Sequence, residues 1–342
     1  RALHLDYRRQ RQMCIRDSCN SIQREIVSNI GRDLFKLETV ICKGCGLIHS
    51  NPIPSKEELS KFYKEKYRSD YKQTYAPKIK HTIRYSSGTI YHLNTILSFI
   101  KNPNNKKLLD IGSGSGELLY FAKKAGFDVF GIEPNQGYAE FCKDKLSLPI
   151  FNGTYEEADI HESTYDIIFM NEVLEHMPDP INVLRDIHSY LKDGGILIVN
   201  VPDIEIGKHS PLKRFHYAHV YNYNHLSLKK IIEISKFKIL NKETSTTSII
   251  CKKSDVECND VQYNFEDNYV RIKNNLFTHS NLKHYLSIHP YYKILKKIIQ
   301  YPREFFMSFF INDHKQVLDK IFQSGQGDIF HRFFSFIEKR IR

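Results

Sequence analysis

The stretch KKLLDIGSGSGELLYFAKKAGFDVFGIEP, residues 106–134, leaves the chain few ways to fold. Lys107 to Ile111 is a short apolar run suited to a buried parallel strand. Gly112, Gly114 and Gly116 follow at once. Glu117 to Ala125 then places Leu118, Leu119, Phe121 and Ala122 on one side of a helix, and Gly126 supplies its stop. Phe127 to Ile132 is the next strand, ended by Glu133. Units of this kind bind ligands at the carboxyl edge of a parallel sheet. The glycines let the backbone turn tightly and approach the ligand. An acid at the end of the second strand can accept hydrogen bonds from two ribose hydroxyls.

The glycine spacing separates two cofactor classes. A dinucleotide fingerprint, G-x-G-x-x-G, needs glycine at position 117, where this chain has Glu117. The pattern here is D-x-G-x-G-x-G, led by Asp110. A carboxylate beside the loop repels a pyrophosphate and pairs with a cationic amino group, which favours S-adenosylmethionine.

Residues 107–203 resemble a class I S-adenosylmethionine-dependent methyltransferase. LLDIGSGSG is similar to its first motif and VFGIEP to its second. YDIIFMNEVLEHMPDP is similar to the fourth-strand motif, and LRDIHSYLKDGGILIVNVPD to the helix and strand after it. The resemblance implies a Rossmann-like α/β fold, a seven-stranded mostly parallel sheet flanked by helices. It implies that Gly112, Gly114 and Gly116, with Asp110, line the methionine part and that Glu133 holds the ribose. Thr154 falls where many relatives carry an Asp near the adenine. Asn171 and Glu172 follow the fourth strand and face the cofactor region. His176 either closes the floor of the site near the transferred methyl or caps a helix.

HVYNYNHLSLKKIIEISKFKIL resembles the late part of the same fold. Phe237 to Lys242 and Ser248 to Lys252 are expected to form a closing antiparallel hairpin. The methyltransferase domain is thus expected over 85–254. Residues 208–242 hold eight Lys/Arg against one acid, Glu233. That is either a solvated helix face or a seat for a substrate phosphate. His219, in HYAH, stands where sugar C-methyltransferases of this superfamily carry a base histidine in Y-H-E-H; Ala218 replaces the acidic partner. Methyl transfer is an in-line displacement at a sulfonium carbon, so the enzyme mostly positions reactants. A near-neutral base still helps an alcohol or enolisable carbon. His219 is a candidate for that role, or for orienting the substrate.

Cys42 and Cys45, in ICKGCGLIHSNP, form a C-x-x-C pair followed by a strand and turn rather than a helix, which argues against a thioredoxin-like redox motif. The segment resembles the entrance to bacterial methyltransferases with an amino-terminal zinc-ribbon-like module, in which two such pairs close a four-cysteine site. That implies structural zinc held by Cys19, Cys42 and Cys45. The fourth ligand is missing, because position 16 is Arg16. Buried thiols without metal are the other reading. RRQRQMCIRDS, residues 8–18, resembles translated sequencing adapter, so residues 1–18 are set aside and the module is read as truncated, 19–52. Residues 53–84 read as a helical cover. Ser55 and Glu58 suggest a capping box, and Tyr67, Tyr71 and Tyr75 fall on one helix face.

Residues 255–342 match no motif of the family and read as a helical, basic and aromatic extension. Tyr291, Ile294, Leu295, Ile298 and Ile299 make an apolar face against Lys293, Lys296 and Lys297, with Pro302 expected to break or kink the helix. Such a face suits a peripheral membrane contact, its own domain or a twin subunit. The chain has 342 residues and a net charge of +11, no apolar run near the roughly 20 residues of a membrane span, and seven irregularly spaced cysteines. A cytoplasmic bacterial enzyme of class EC 2.1.1.- is expected, methylating a small molecule, best a sugar, nucleotide-linked or free, by C- or O-methylation. A quinone or lipid O-methyltransferase is the rival enzyme. A nucleic-acid-binding protein is the rival of another class, without an RNA-recognition motif to support it.

Overall fold

In the computed structural model, residues 21–62, 75–205, 210–240, 247–255, 265–278, 280–311 and 313–324 are described. In chain order the elements are β1 (Arg24–Ile30), β2 (Lys36–Cys42), β3 (Ile48–Ser50), α1 (Lys56–Phe62), α2 (Ile79–Phe99), β4 (Lys107–Ile111), α3 (Glu117–Ala125), β5 (Asp128–Glu133), α4 (Gln136–Leu146), β6 (Ile150–Asn152), β7 (Tyr165–Asn171), α5 (Pro180–Tyr190), β8 (Leu191–Asn200), β9 (Tyr221–Asn222), α6 (His225–Ile234), β10 (Phe237–Ile239), β11 (Ser248–Lys253), α7 (Phe265–Thr278), α8 (Asn281–Leu286), α9 (His289–Phe310) and α10 (His314–Ser324). A seven-stranded sheet has the order β10-β11-β8-β7-β4-β5-β6. Strands β4, β5 and β6 run parallel, while β11 is antiparallel to both β8 and β10. This is the Rossmann-like architecture that the family resemblance implies, and the expected closing hairpin is β10–β11.

The chain divides into two compact units, Arg1–Tyr71 with Met170–Ser287, and Lys72–Phe169 with Ile288–Arg342. The second unit holds the glycine loop. Leu108, Leu109 and Ile111 of β4 are buried, as are Leu118, Leu119, Phe121 and Ala122 of α3, so the predicted apolar faces are core. At roughly 1.5–3 kcal/mol for each fully buried large apolar side chain, this strand–helix contact is a main source of local stability. Gly126, at φ +106°, caps α3 as predicted. Phe121 stacks on Phe322 of α10. Arg84 of α2 forms a two-point ion pair with Glu304 of α9, and Glu304 is almost fully buried.

Helix α9 runs through Pro302 to Phe310 without breaking. It packs through Tyr292 and Glu304, which are buried, while Tyr291, Ile294, Leu295 and Ile298 are 52–62 % exposed. The apolar face predicted from the sequence therefore points outward, and Ile299 alone of that set is half-buried.

In the first unit, an antiparallel sheet of order β1-β2-β3-β9 carries Cys42 at the end of β2. Leu37, Ile41 and Ile48 pack with Phe215 and Ile272 in one cluster. The predicted capping box forms: the Ser55 N–H donates to Glu58 Oε2 at 2.7 Å and the Glu58 N–H to Ser55 Oγ at 3.2 Å. Tyr67 and Tyr71 lie outside the described residues, and Tyr75 is exposed.

Candidate functional site

The loop after β4 is held by the end of β5. Glu133 Oε2 accepts the Gly114 N–H at 2.7 Å, and Oε1 accepts the Asn135 N–H at 2.8 Å. Gly112, Gly114 and Gly116 all have positive φ, at +77°, +55° and +77°. Their reasons for being glycine differ. A Cβ on Gly114 would meet nothing within 4 Å, so the loop faces open space there. A Cβ on Gly116 would lie 2.8 Å from Cys142 Sγ and 2.9 Å from Leu148 Cδ1. Gly116 thus serves close packing of the helix start, which spacing alone did not distinguish from ligand lining.

Asp110 is buried at the end of β4, and its carboxyl is pushed up to about 8 by burial, with the charges of Glu133 and Glu117 adding. A cationic group beside it would reverse that shift. Thr154 sits in the loop after β6, where its N–H and hydroxyl both bond Glu157 Oε2, at 2.7 and 3.1 Å. The open Gly114 face, the Asp110 and Glu133 carboxyl groups and the αL loop offer chemistry that suits hydroxyl and ammonium groups. No pyrophosphate cradle is formed, since acidic groups flank the loop. This donor set fits S-adenosylmethionine.

The first unit carries the other candidates. Asn171 Oδ1 accepts from Asn200 Nδ2 at 3.2 Å, and Asn200 in turn accepts from the Ser248 hydroxyl. Glu172 is exposed and holds φ +55°, its N–H donating to Asn200 O at 2.8 Å. A non-glycine residue in this conformation costs roughly 1 kcal/mol or more.

His176 and His219 are brought together, ring centroids 4.9 Å apart and edge to face. His216 stands 5.5 Å from His219. His176 Nδ1 lies 2.7 Å from Ala218 O. A carbonyl only accepts, so Nδ1 carries the proton and Nε2 the lone pair. Burial holds His176 down to about 4, so it is neutral near pH 7; His216 is also pushed down to about 4, by burial first and then by Arg32 and His176. Glu175 and His216 were missed in the sequence. Their signal was adjacency to His176 and His219, which does not reveal burial.

Glu175, His176 and His219 each offer a ligand atom within 4.8 Å of the others. Of the expected zinc ligands, Cys19 lies outside the described residues. Cys42 and Cys45 are buried on a tight turn in which the Gly46 N–H donates to Cys42 O at 2.9 Å. Gly46 has φ +77° and abuts Asn268 of α7, whose Nδ2 donates to Cys45 O at 2.8 Å. Of the basic segment, Arg214 is partly buried, its guanidinium pKa lowered by that burial. It lines an apolar cleft of about 180 Å³ with Val27, Leu212, Phe215 and Leu276, which contains none of the candidate residues. Among the described residues no helix is long and apolar enough to cross a membrane.

The family model of a methyltransferase domain matches residues 86–237. A ubiquinone biosynthesis O-methyltransferase of Aliivibrio fischeri is 32 % identical over 109 residues, 30 % of this chain and 47 % of that protein. One of Hydrogenovibrio crunogenus is 30 % identical over 119 residues, 32 % and 49 % of the two chains. The match thus spans about half the length of these relatives. Among solved structures, an S-adenosylmethionine-dependent methyltransferase of Archaeoglobus fulgidus aligns with a TM-score of 0.38 at 20 % identity, covering 48 % of this chain and 94 % of that one. Residues 86–237, which match the methyltransferase-domain model, contain the carboxylate-tethered glycine loop and most strands of the seven-stranded sheet.

Proposed function

We propose that this protein transfers the methyl group of S-adenosylmethionine to a small-molecule acceptor. The observation that carries the reading is the Glu133 carboxylate bonded to the Gly114 N–H across an open αL loop. In this reading Glu133 holds the ribose hydroxyls and Asp110 the ammonium group. The loop backbone cradles the methionine part, and Thr154 lies on the adenine side. When bound, the cofactor supplies an electrophilic methyl on sulfur. The residues of this chain then have to orient an acceptor atom in line with it and take up its proton. His219 is assigned to that proton or to orienting the acceptor. His176, neutral and fixed by Ala218 O, lines the acceptor side.

For the acceptor we favour a sugar, nucleotide-linked or free. His219 in HYAH and the buried Cys42–Cys45 turn, with its resemblance to the zinc-module enzymes, support that class. A quinone or lipid acceptor is favoured by a different observation: the outward apolar face of α9, with Tyr291, Ile294, Leu295, Ile298, Phe305 and Phe309 all at least half exposed. The sequence of that helix adds Lys293, Lys296, Lys297 and Arg303, a composition suited to an anionic bilayer. The ubiquinone biosynthesis relatives fit this second reading.

Calorimetric titration of S-adenosylmethionine into the full chain tests the activity class. Saturable binding, followed by methyl transfer to one acceptor class in a radiolabel screen, is expected; a folded chain that fails to bind the cofactor overturns it. Flotation with phosphatidylglycerol vesicles separates the acceptor readings. Binding lost in Ile294→Glu/Ile298→Glu favours the lipid-soluble acceptor, and absence of binding favours the sugar.

A further inference from the structure

Arg214 stands in an apolar cleft without a counter-ion among the described residues. A 3-10 turn, Pro211–Lys213, delivers it beside the edge strand β1 and the end of α7, all within the first unit. Val27 and Ile30 of β1, Leu212, Phe215, and Phe277 of α7 surround a space of about 180 Å³. Arg214 is the one charged residue among those described as lining it. Its backbone is held in place. The Arg214 N–H donates to Pro211 O, and the next residue, Phe215, is buried against Leu37, Ile41 and Ile48.

A guanidinium carries several N–H donors in a planar fork. Among the described residues Arg214 uses its side chain once, Nη1 to Leu276 O at 3.4 Å, near the limit of a hydrogen bond. Burial lowers its pKa, and no neighbouring carboxylate acts against that. The acids on either side are engaged elsewhere. Glu25 of β1 accepts from Lys273 Nζ at 2.8 Å and from the Tyr269 hydroxyl at 2.6 Å. Glu205 is bonded to Arg271 and Asn275. Ser28, the other polar side chain in the cleft, donates its hydroxyl to Ile30 O at 2.8 Å and accepts the Ile30 N–H. Arginine stays charged wherever the protein folds, so a partly desolvated guanidinium without a partner costs free energy that an anion returns.

We propose that this cleft binds a small free monocarboxylate with an apolar body of about six carbons, its carboxylate paired with Arg214. A cavity of about 150 Å³ lined by Leu, Ile and Phe accepts benzene, so the volume here takes one ring or a short acyl chain. The charge matches as well. One guanidinium fork meets one carboxylate through two parallel hydrogen bonds. A phosphate dianion would bring a second negative charge that no lining residue described here meets. Apolar walls with one convergent charged group are the usual build of a small-molecule site. The cleft shares no residue with the glycine loop, and the proposal stands whether or not the chain transfers a methyl group.

The test titrates benzoate, hexanoate, benzamide and inorganic phosphate into the full chain by calorimetry. Benzoate and hexanoate should each saturate a single site, with a dissociation constant on the order of 0.1–1 mM. The uncharged benzamide should bind at least about tenfold more weakly than benzoate. Arg214→Gln should weaken benzoate by more than about tenfold and erase its advantage over benzamide. Phe277→Glu, at an exposed position on the rim, gives Arg214 a carboxylate from the chain itself and should abolish benzoate binding. Thermal melts show that the variants fold. Benzoate should raise the melting temperature of the wild type and of neither variant, and ligand-free Phe277→Glu should melt no lower than ligand-free wild type. Failure of the wild type to bind benzoate and hexanoate, equal binding of benzamide or of phosphate, or benzoate binding that Arg214→Gln retains overturns the proposal.

Discussion

Glu133 at the end of β5 grips the backbone of Gly114 across the loop that follows β4, its Oε2 accepting the Gly114 N–H at 2.7 Å. The same carboxylate takes the Asn135 N–H through its other oxygen, so one side chain ties the loop and the start of α4 together. Replacing Glu133 with Ala frees both amides and removes the proposed ribose acceptor. S-adenosylmethionine affinity should fall by at least about tenfold, with a loss of roughly 1–2 kcal/mol in stability, read by calorimetry and urea unfolding.

The glycines of the loop separate into two outcomes. Gly114→Val meets no atom but must hold φ +55° and fills the open face, so it should abolish cofactor binding in a chain that still folds. Gly116→Val meets Cys142 and Leu148 and should lower the melting temperature by several degrees, whether or not cofactor is present. Melts with and without S-adenosylmethionine distinguish the two.

Asp110 should report the cofactor's charge. Burial, with Glu133 and Glu117, lifts it to about 8, so at pH 7 it is mostly protonated without ligand. A bound ammonium favours the carboxylate and expels a proton. The binding enthalpy at pH 7 should therefore vary with the ionisation enthalpy of the buffer, and the variation should vanish in Asp110→Asn. Without ligand the native chain binds this proton and the unfolded chain sheds it between pH 4 and 8. The group's contribution is thus complete below pH 4 and declines as pH rises toward 8. Asp110→Asn should accordingly gain relative stability at pH 8.

The histidines give the opposite slope. His176 and His216 are held near 4, below the unfolded value, by burial, so their contribution is present above about pH 6.5 and lost as pH falls toward 4. Urea unfolding between pH 4.5 and 7.5 should show stability rising with pH, and His216→Gln should flatten that rise.

Arg84 and Glu304 join α2 to α9 by two hydrogen bonds, with Glu304 nearly buried. Glu304→Ala leaves a half-buried guanidinium unpaired and should cost roughly 1–3 kcal/mol, less than a fully buried pair because Arg84 still reaches water. Limited proteolysis should then cut the α9 segment earlier than in the wild type.

The local physics of residues 106–134 was legible because strand, loop and helix are each set by neighbours in sequence. Apolar runs fit a buried strand, αL glycines end it, and Glu133 closes the unit nineteen residues after Gly114. The capping box at Ser55 and the closing hairpin were readable for the same reason. Other features depended on what the chain brings from afar. The spacing of Tyr291, Ile294, Leu295 and Ile298 marks one apolar face of α9, yet the helix packs through Tyr292 and through Glu304, paired with Arg84, and leaves that face outward. The spacing of Gly116 does not show that Cys142 and Leu148 lie against it. Glu175 reads as one acid in LEHMPDP; only folding buries it, aims His176 Nε2 at it and carries His219 alongside from 43 residues further on. Sequence alone determined the parallel strand unit and its loop, since backbone conformation and alternation of apolar residues are local. Tertiary structure decided which faces are covered and which polar groups lose water, because burial belongs to no residue by itself.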